Sequence, residues 1–397
     1  MKNIKNKIVN PDKVKQADLI VGIPSYNEAD NIANVVKQVD RGLVKNFSKY
    51  KAVIINVDNN SSDGTREAFL NVKTKTPKIY ISTPPGVVGK GNNFYNLFDY
   101  TLKLNAQAVA VIDADIKSVT PNWVKWLFEP ILKGYDYATP VYSRCEYDGS
   151  ITNHICYPLI YGLLGYNIRQ PIGGDFSFSP RLAKYWLERK WHKTTKQYGI
   201  DIFMTMNAIL GGFKIAQVGL GAKIHKPSAP KLGPMFYQVT DTLFKNMLAN
   251  KNKWFYIKEK TEVPFFGKKK FDRSQTLSLD YKKMKEISIF GFQSNEDLLK
   301  DLLSAEVFKE LKRKYGKGTV AIDHRLWYKI VYDALYAYDT TDFDSDLIEA
   351  LKSLYFGRFV SFFKKTLDQP FEVCEKRIIK QAESFRKNKD YFVGKYK

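Results

Sequence analysis

Short apolar runs separated by amphipathic stretches fill the first part of this 397-residue chain. The runs Asp18–Ile23 (DLIVGI), Ala52–Asp58 (AVIINVD), Lys78–Ser82 (KIYIS), Ala108–Asp113 (AVAVID) and Tyr137–Val141 (YATPV) are nearly continuous and rich in Val and Ile. Such runs predict strands buried on both faces. Between them, Ala29–Val39, Thr65–Val72, Gly91–Leu104 and Trp123–Lys133 carry helical spacing. The β-α-β-α series predicts an α/β fold: a Rossmann-like, mainly parallel central sheet with helices on both faces. Sheets of this kind bind ligands at the carboxyl ends of their strands.

Residues 172–235 read as a second section of the same domain: a Gly-Gly turn, a short strand at Phe176–Phe178, two helices, a strand at Phe213–Val218, then a loop punctuated by Gly and Pro. From about residue 236 the pattern is mostly helical. Ser294 and Asp297 have the spacing of a capping box, predicting a Leu-rich helix that stops near Gly316, and further amphipathic segments follow at 323–338, 345–365 and 370–387. The expected organisation is a flexible tail over 1–17, an α/β catalytic domain over 18–245 and a mostly helical C-terminal domain over 246–397.

Composition narrows the partners. Lys and Arg number 63 against 41 Asp and Glu, a net charge of +22, which favours anionic ligands or surfaces. The lysines are spread along the chain and no nucleic-acid-binding module is legible, so nucleic acid is not expected as a partner. The charged N-terminal residues lead into no apolar core, and no window approaches the ~18–20 apolar residues of a membrane span. Cys145, Cys156 and Cys374 are an odd number without metal-like spacing and read as reduced thiols, pointing to a cytoplasmic protein. Peripheral contact with a membrane stays open.

The candidate chemistry lies where the predicted strands end. The first runs into Pro24-Ser25-Tyr26-Asn27-Glu28, where Glu28 suits either a base or ribose ligand or a helix cap. The second ends at Asp58, read as a nucleotide ligand, while Ser61, Ser62 and Asp63 look like turn and cap residues. Gly86-Val87-Val88-Gly89-Lys90-Gly91 resembles a phosphate loop, but its glycine spacing departs from the ATP-hydrolysing type. Glycines and a lysine at a helix start still suit a diphosphate. The fourth strand ends in Asp113-Ala114-Asp115. Two carboxylates so close at a buried strand end repel, and a hard divalent cation such as Mg²⁺ or Mn²⁺ relieves that repulsion. His225, after the strand and before a Pro-containing turn, supplies a fitting further ligand. The metal set is therefore Asp115 and His225, with Asp113 on the ribose or the metal.

In order and character these elements resemble the GT-A glycosyltransferases, over about residues 18–245. Gln170–Asp175 and Tyr198–Asp201 are similar to segments of the mannosylglycerate synthases, and Val218–His225 to the glucosyl-3-phosphoglycerate and glucosylglycerate synthases. The resemblance implies a retaining, metal-dependent hexosyltransferase, glucose favoured over mannose. It would use a GDP- or UDP-hexose donor and a glycerate or 3-phosphoglycerate acceptor, making a glycosylglycerate compatible solute or its phosphorylated precursor.

The donor would contact Pro24, Tyr26, Glu28, Asp58, Gly89, Lys90, Asp113, Ala114, Asp115, Gly173, Gly174 and Asp175, with Asp115, Asp201 and Lys90 carrying the catalysis. Arg144, Thr152, Tyr198 and Asp201 would hold the acceptor. Asp175 stands where the family has Glu. A guanidinium at Arg144 suits bidentate capture of a carboxylate, although a surface loop is its other reading.

Two rival functions remain. One is a family-2-like transferase working on a polyprenyl phosphate or envelope glycan at the membrane surface, for which aromatic helices such as Phe356–Phe363 leave room. The other is a non-catalytic sugar-nucleotide-binding protein. Those aromatic helices suit either a packed core or a homodimer interface.

Overall fold

A computed structural model describes residues 6–226, 232–268, 280–342 and 344–397. The described chain divides into two compact units, one holding 6–144, 170–226 and 263–268, the other 145–169, 232–262 and the residues from 280 on. This differs from the expected single cut at 245/246. Residues 145–169 belong with the helical unit, and a short segment returns to the sheet after the chain has left it.

Among the described residues the first unit is built on nine strands: β1 (Lys7–Val9), β2 (Leu19–Ser25), β3 (Ala52–Asp58), β4 (Lys78–Ser82), β5 (Ala108–Val111), β6 (Tyr137–Ser143), β7 (Ser177–Phe178), β8 (Ile215–Ala222) and β9 (Phe265–Gly267). Their order is β1-β4-β3-β2-β5-β7-β6-β8-β9. The pairs β2–β3, β3–β4, β2–β5, β6–β8 and β8–β9 are parallel, while β1 and β7 run antiparallel to their neighbours. The sheet is mainly parallel, as expected. The edge strand β1 corrects the expectation of a flexible tail over 1–17, because Lys7, Ile8 and Val9 pair with Ser82, Ile81 and Tyr80.

Four helices follow the strands: α1 (Ile32–Asn46), α2 (Thr65–Leu70), α3 (Lys90–Lys103) and α4 (Pro121–Leu132). In α1 the buried positions Ile32, Val35, Val36, Val39 and Leu43 repeat at helical spacing. They share one core with Leu19, Val21 and Ile23 of β2 and with Trp123, Val124 and Leu127 of α4. Gly22 points the other way, since successive strand residues alternate faces. A Cβ on Gly22 would collide with Leu97 of α3, so the small residue lets α3 close on the opposite face. Helices thus cover both faces. The strand order reverses between β2 and β5, the place where a sheet of this type opens a crevice for ligand.

The second unit is helical among its described residues, with Leu232–Leu248, Tyr281–Ser294, Glu296–Leu302, Ala305–Gly316, His324–Thr340, Asp344–Thr366 and Phe371–Lys387. Tyr157, Tyr161, Phe362, Cys374, Ile378 and Ala382 form one of its buried clusters. Ser294 ends a helix instead of capping the next, and the expected single helix to Gly316 is two, interrupted at Leu303 and Ser304. Cys145, Cys156 and Cys374 are buried thiols. No described helix is long and apolar enough to cross a membrane.

Trp123 is 1% exposed within the α1–α4–sheet core. Trp123→Ala is expected to cost roughly 3–5 kcal/mol of unfolding free energy, measured by denaturant titration. A loss below about 1 kcal/mol would mean that the core around α4 closes over the cavity, contrary to this packing.

Candidate active site

The loop after β2 is laced to the loop after β3. Backbone N–H groups of Asn27, Glu28 and Ala29 donate to Ser61 Oγ (2.8 Å), Thr65 Oγ1 (2.9 Å) and Asp63 Oδ2 (3.0 Å). Asn27 takes a left-handed conformation, φ 56°, which Asn tolerates better than most residues. Pro24 is buried within β2, whereas Tyr26 is 52% exposed and free to face a ligand.

Asp58 departs from expectation. Its Oδ1 accepts from the Ser25 and Ser61 hydroxyls, both at 2.7 Å, and its Oδ2 from Ser61 N–H (2.8 Å) and the Tyr80 hydroxyl (2.9 Å). A carboxylate offers about four acceptor positions, and here all are occupied on a side chain that is 0% exposed. Asp58 anchors the two loops in this structure, and a nucleobase would have to displace a protein donor to reach it.

The Gly89-Lys90-Gly91 turn opens α3, and its glycines serve packing. A Cβ on Gly89 would collide with the carbonyl of Lys196, and one on Gly91 with that of Thr195. The Gly91 N–H donates to Gln197 O at 3.1 Å and Asn92 N–H to Lys196 O at 3.2 Å. These amides are committed to protein carbonyls, so the expected backbone cradle for a diphosphate is not offered by Gly91. The close approach instead brings the start of the helix Ile200–Leu210 against Lys90.

Lys90 Nζ lies 3.1 Å from Asp113 and 3.3 Å from Asp201. Burial opposes its charge, but Asp113 and then Asp201 outweigh burial and hold the ammonium well above its ordinary value. Lys90 was expected to face the diphosphate. It bridges two carboxylates, one ammonium between two acidic groups.

Asp113 is held from below. Its backbone N–H donates to Asp175 Oδ1 at 2.7 Å. Gly174 has φ 94°, and a Cβ there would strike the Asp113 carboxylate. On Gly173 a Cβ would strike Pro140. Asp175 is fully buried, accepts a short hydrogen bond from the Tyr142 hydroxyl, and pairs with Lys223 Nζ at 3.3 Å. That engagement corrects its expected contact with donor sugar, because no face of the carboxylate is open. Lys223 was not anticipated: it donates to Gly173 O at 2.6 Å and lies over the Tyr142 ring at 4.7 Å. In so lysine-rich a chain only its place two residues before His225, at a buried strand end, could have singled it out.

On the other side of the Asp-x-Asp turn, Asp115 Oδ2 lies 3.9 Å from His225 Nδ1. Backbone pairing brings them together. Lys117 N–H donates to Ile224 O at 2.8 Å, and Ser118 Oγ bridges Ala222 O and Ile224 N–H at 2.8 and 2.9 Å. Asn31 Nδ2 fixes the turn from the α1 side through the carbonyls of Ala114 (2.8 Å) and Ile116 (3.1 Å). Glu28 approaches the same region and pairs with Lys226 at 2.6 Å. Burial raises the Glu28 carboxyl, and Asp115 raises it further against the pull of Lys226. Beyond Lys226 the expected Pro-containing turn lies outside the described residues.

Of the expected acceptor residues, Arg144 follows β6 and is half-buried, as is Tyr198, and Asp201 stands in the first turn of its helix. Thr152 belongs to the second unit and is 1% exposed in the helical stretch 152–164, so its hydroxyl does not present itself to a ligand.

The electrostatics point one way. Glu28, Asp115, Asp175 and Asp201 are all raised, by burial first and by neighbouring carboxylates among the further causes. An oxygen and an imidazole nitrogen about 3–4 Å apart suit two ligands of one Mg²⁺ or Mn²⁺ ion. Among the described residues no three His, Cys, Asp or Glu side chains form a closed cage. Mg²⁺ is commonly held in just this way, by one or two protein ligands with waters and substrate phosphates filling the rest.

Residues 20–189 match the Glycosyl transferase family 2. The chain is 26% identical over 248 residues to glucosyl-3-phosphoglycerate synthase of Mycobacterium tuberculosis, covering 56% of this chain and 71% of that protein. The synthase of Mycolicibacterium paratuberculosis is 26% identical over 249 residues, covering 56% and 70%. A crystal structure of the M. tuberculosis synthase in complex with Mn²⁺, uridine diphosphate and phosphoglyceric acid aligns at 25% identity with TM-score 0.47, over 58% of this chain and 78% of that one. Residues 20–189 are thus similar to the family 2 glycosyltransferases, and the chain resembles the glucosyl-3-phosphoglycerate synthases in sequence.

Burial and the Asp113 charge raise the Asp115 carboxyl above the ordinary 3.8. The folded state is therefore penalised above the unfolded-chain value, and relieved as pH falls through the raised value towards it. Metal-free Asp115→Asn is expected to melt roughly 2–4 °C higher than the native chain at neutral pH, with the gain fading on acidification. Equal melting temperatures at neutral pH would contradict the repulsion argued here.

Proposed function

We propose that this chain, with its similarity to the family 2 glycosyltransferases, moves a hexose from a UDP- or GDP-linked donor to 3-phosphoglycerate or glycerate with retention of anomeric configuration. Glucose is favoured over mannose. The observation that carries the reading is the approach of Asp115 and His225 to 3.9 Å at the strand ends, beside the Asp113–Lys90–Asp201 cluster. The sequence kinship with enzymes named glucosyl-3-phosphoglycerate synthase supports the choice of sugar and acceptor.

Asp115 and His225 would hold a divalent ion, which supplies Lewis-acid stabilisation of the charge that grows on the departing diphosphate. The protein's own groups do the remaining work. Lys90 holds Asp113 and Asp201 at fixed positions, so that the carboxylates meet sugar hydroxyls without reorganising. Lys223 and Tyr142 fix Asp175, which in turn fixes the Asp113 backbone. Gly174 leaves room for the Asp113 carboxylate itself. Arg144 presents a planar cation for the acceptor carboxylate. In the transfer the bond from the anomeric carbon to the diphosphate oxygen breaks and the acceptor hydroxyl oxygen bonds to that carbon. Its proton passes to the freed diphosphate on the same face, and no protein nucleophile is used.

The test is a panel of UDP- and GDP-linked glucose and mannose against glycerate and 3-phosphoglycerate with Mg²⁺ or Mn²⁺, the product identified by mass and anomeric coupling. A glucosylated phosphoglycerate or glycerate is expected. Asp115→Ala should lower turnover by at least about 100-fold with the circular dichroism spectrum unchanged. A folded Asp115→Ala enzyme with near-native turnover would remove the assignment.

A further inference from the structure

The helical unit contains a cavity of about 290 Å³ whose lining is strongly cationic. At its floor Arg358 is 5% exposed. Its guanidinium donates to neutral acceptors only, Gln381 Oε1 at 2.6 Å and Ile322 O at 3.3 Å. Among the described residues its Nη2 has no protein acceptor and no carboxylate pairs with it. A buried guanidinium left in that state is costly, and burial lowers its pKa to about 10. The Phe362 ring packs beside it, 5.8 Å from ring centre to guanidinium carbon.

Around the mouth stand Arg325, Lys365, Arg377 and Lys380. All four are exposed, and none has an ion-pair partner among the described residues. One carboxylate lines the same cavity, Asp323, and it is engaged in capping its helix through the N–H groups of Arg325 (2.9 Å) and Leu326 (3.0 Å). His324 also lines it, its Nδ1 bonded to Ser384 Oγ at 2.7 Å. Five cations facing one occupied carboxylate make an attractive field for a multiply charged anion, and a low-dielectric wall strengthens that field.

We propose that this cavity is a second anion site, separate from the strand-end cluster, and that it takes a small polyphosphate group, either free pyrophosphate or the phosphate tail of a nucleotide. Arg358 would supply the fork geometry that matches phosphate oxygens, and the rim lysines and arginines point charges. The site goes beyond the proposed transfer and does not depend on it.

Inorganic pyrophosphate, and separately ATP, would be titrated calorimetrically into the full chain carrying Asp115→Ala, in chelator, so that the strand-end cluster holds no metal–diphosphate complex. One-to-one binding is expected. It should weaken roughly tenfold in Arg377→Glu and further in the double variant Arg377→Glu, Lys380→Glu, and binding to the unsubstituted rim should itself weaken as salt is raised. These exposed rim positions should leave the fold and the transfer reaction in place, and Arg358→Met tests the floor. ATP binding more tightly than pyrophosphate would mean that the nucleoside adds contacts to the phosphate site, and equal affinities would mean that phosphate alone is read. Absence of binding in chelator, or affinity unchanged by the rim variants, overturns the proposal. So does Arg377-dependent sedimentation with phosphatidylglycerol vesicles without pyrophosphate binding, which would make the patch a membrane contact.

Discussion

The organisation of the first unit follows from one constraint: carboxylates gathered at the ends of buried parallel strands must be neutralised without water. Glu28, Asp175, Asp201 and the pair Asp113 and Asp115 come from four segments of the chain and meet there. Three lysines answer them directly, Lys226 at Glu28, Lys90 between Asp113 and Asp201, and Lys223 at Asp175. Asp115 is left facing His225 at the open edge, and its carboxyl is raised. The two carboxylates of the Asp-x-Asp turn therefore have different duties. Asp113 is locked to a lysine, and Asp115 is the group with unspent charge.

Much of the backbone that creates this constraint was legible in the sequence. The runs Ala52–Asp58 and Lys78–Ser82 are strands with those bounds, because a strand buried on both faces must be apolar throughout and its first polar residues mark its ends. Asp113, Asp115 and His225 could be read as a cluster for the same reason: polar residues just past such strands project into the crevice. What escaped was structure set by pairing. Lys7–Val9 and Phe265–Gly267 are edge strands too short to show a period, and they exist because β4 and β8 offer free edges. The stretch 145–169 follows β6 directly and gave no sign that its apolar side chains belong to the helical unit.

The roles of individual polar residues were harder to see, because they depend on which neighbour claims them first. Asp58 stands where a nucleotide ligand should, but Ser61 three residues on bends back to it and Tyr80 reaches it from the adjacent strand. The glycines around Lys90 suit a phosphate loop in sequence, yet their small size is needed to admit the backbone of 195–197. Lys223 emerges from strand β8 with nothing in its flanks to mark it, and only the fold sets it against Gly173 and Asp175. For Asp58 and the glycines around Lys90 the sequence places the groups near the site, and for all three tertiary packing decides whether the group faces ligand or protein.

Pulsed electron paramagnetic resonance of Mn²⁺ bound with uridine diphosphate tests the central claim directly, because it detects a nitrogen nucleus ligated to the ion. The account predicts a coupling from one imidazole nitrogen in the native protein that vanishes in His225→Ala. Native protein without nitrogen coupling, or the same coupling in His225→Ala, would contradict it.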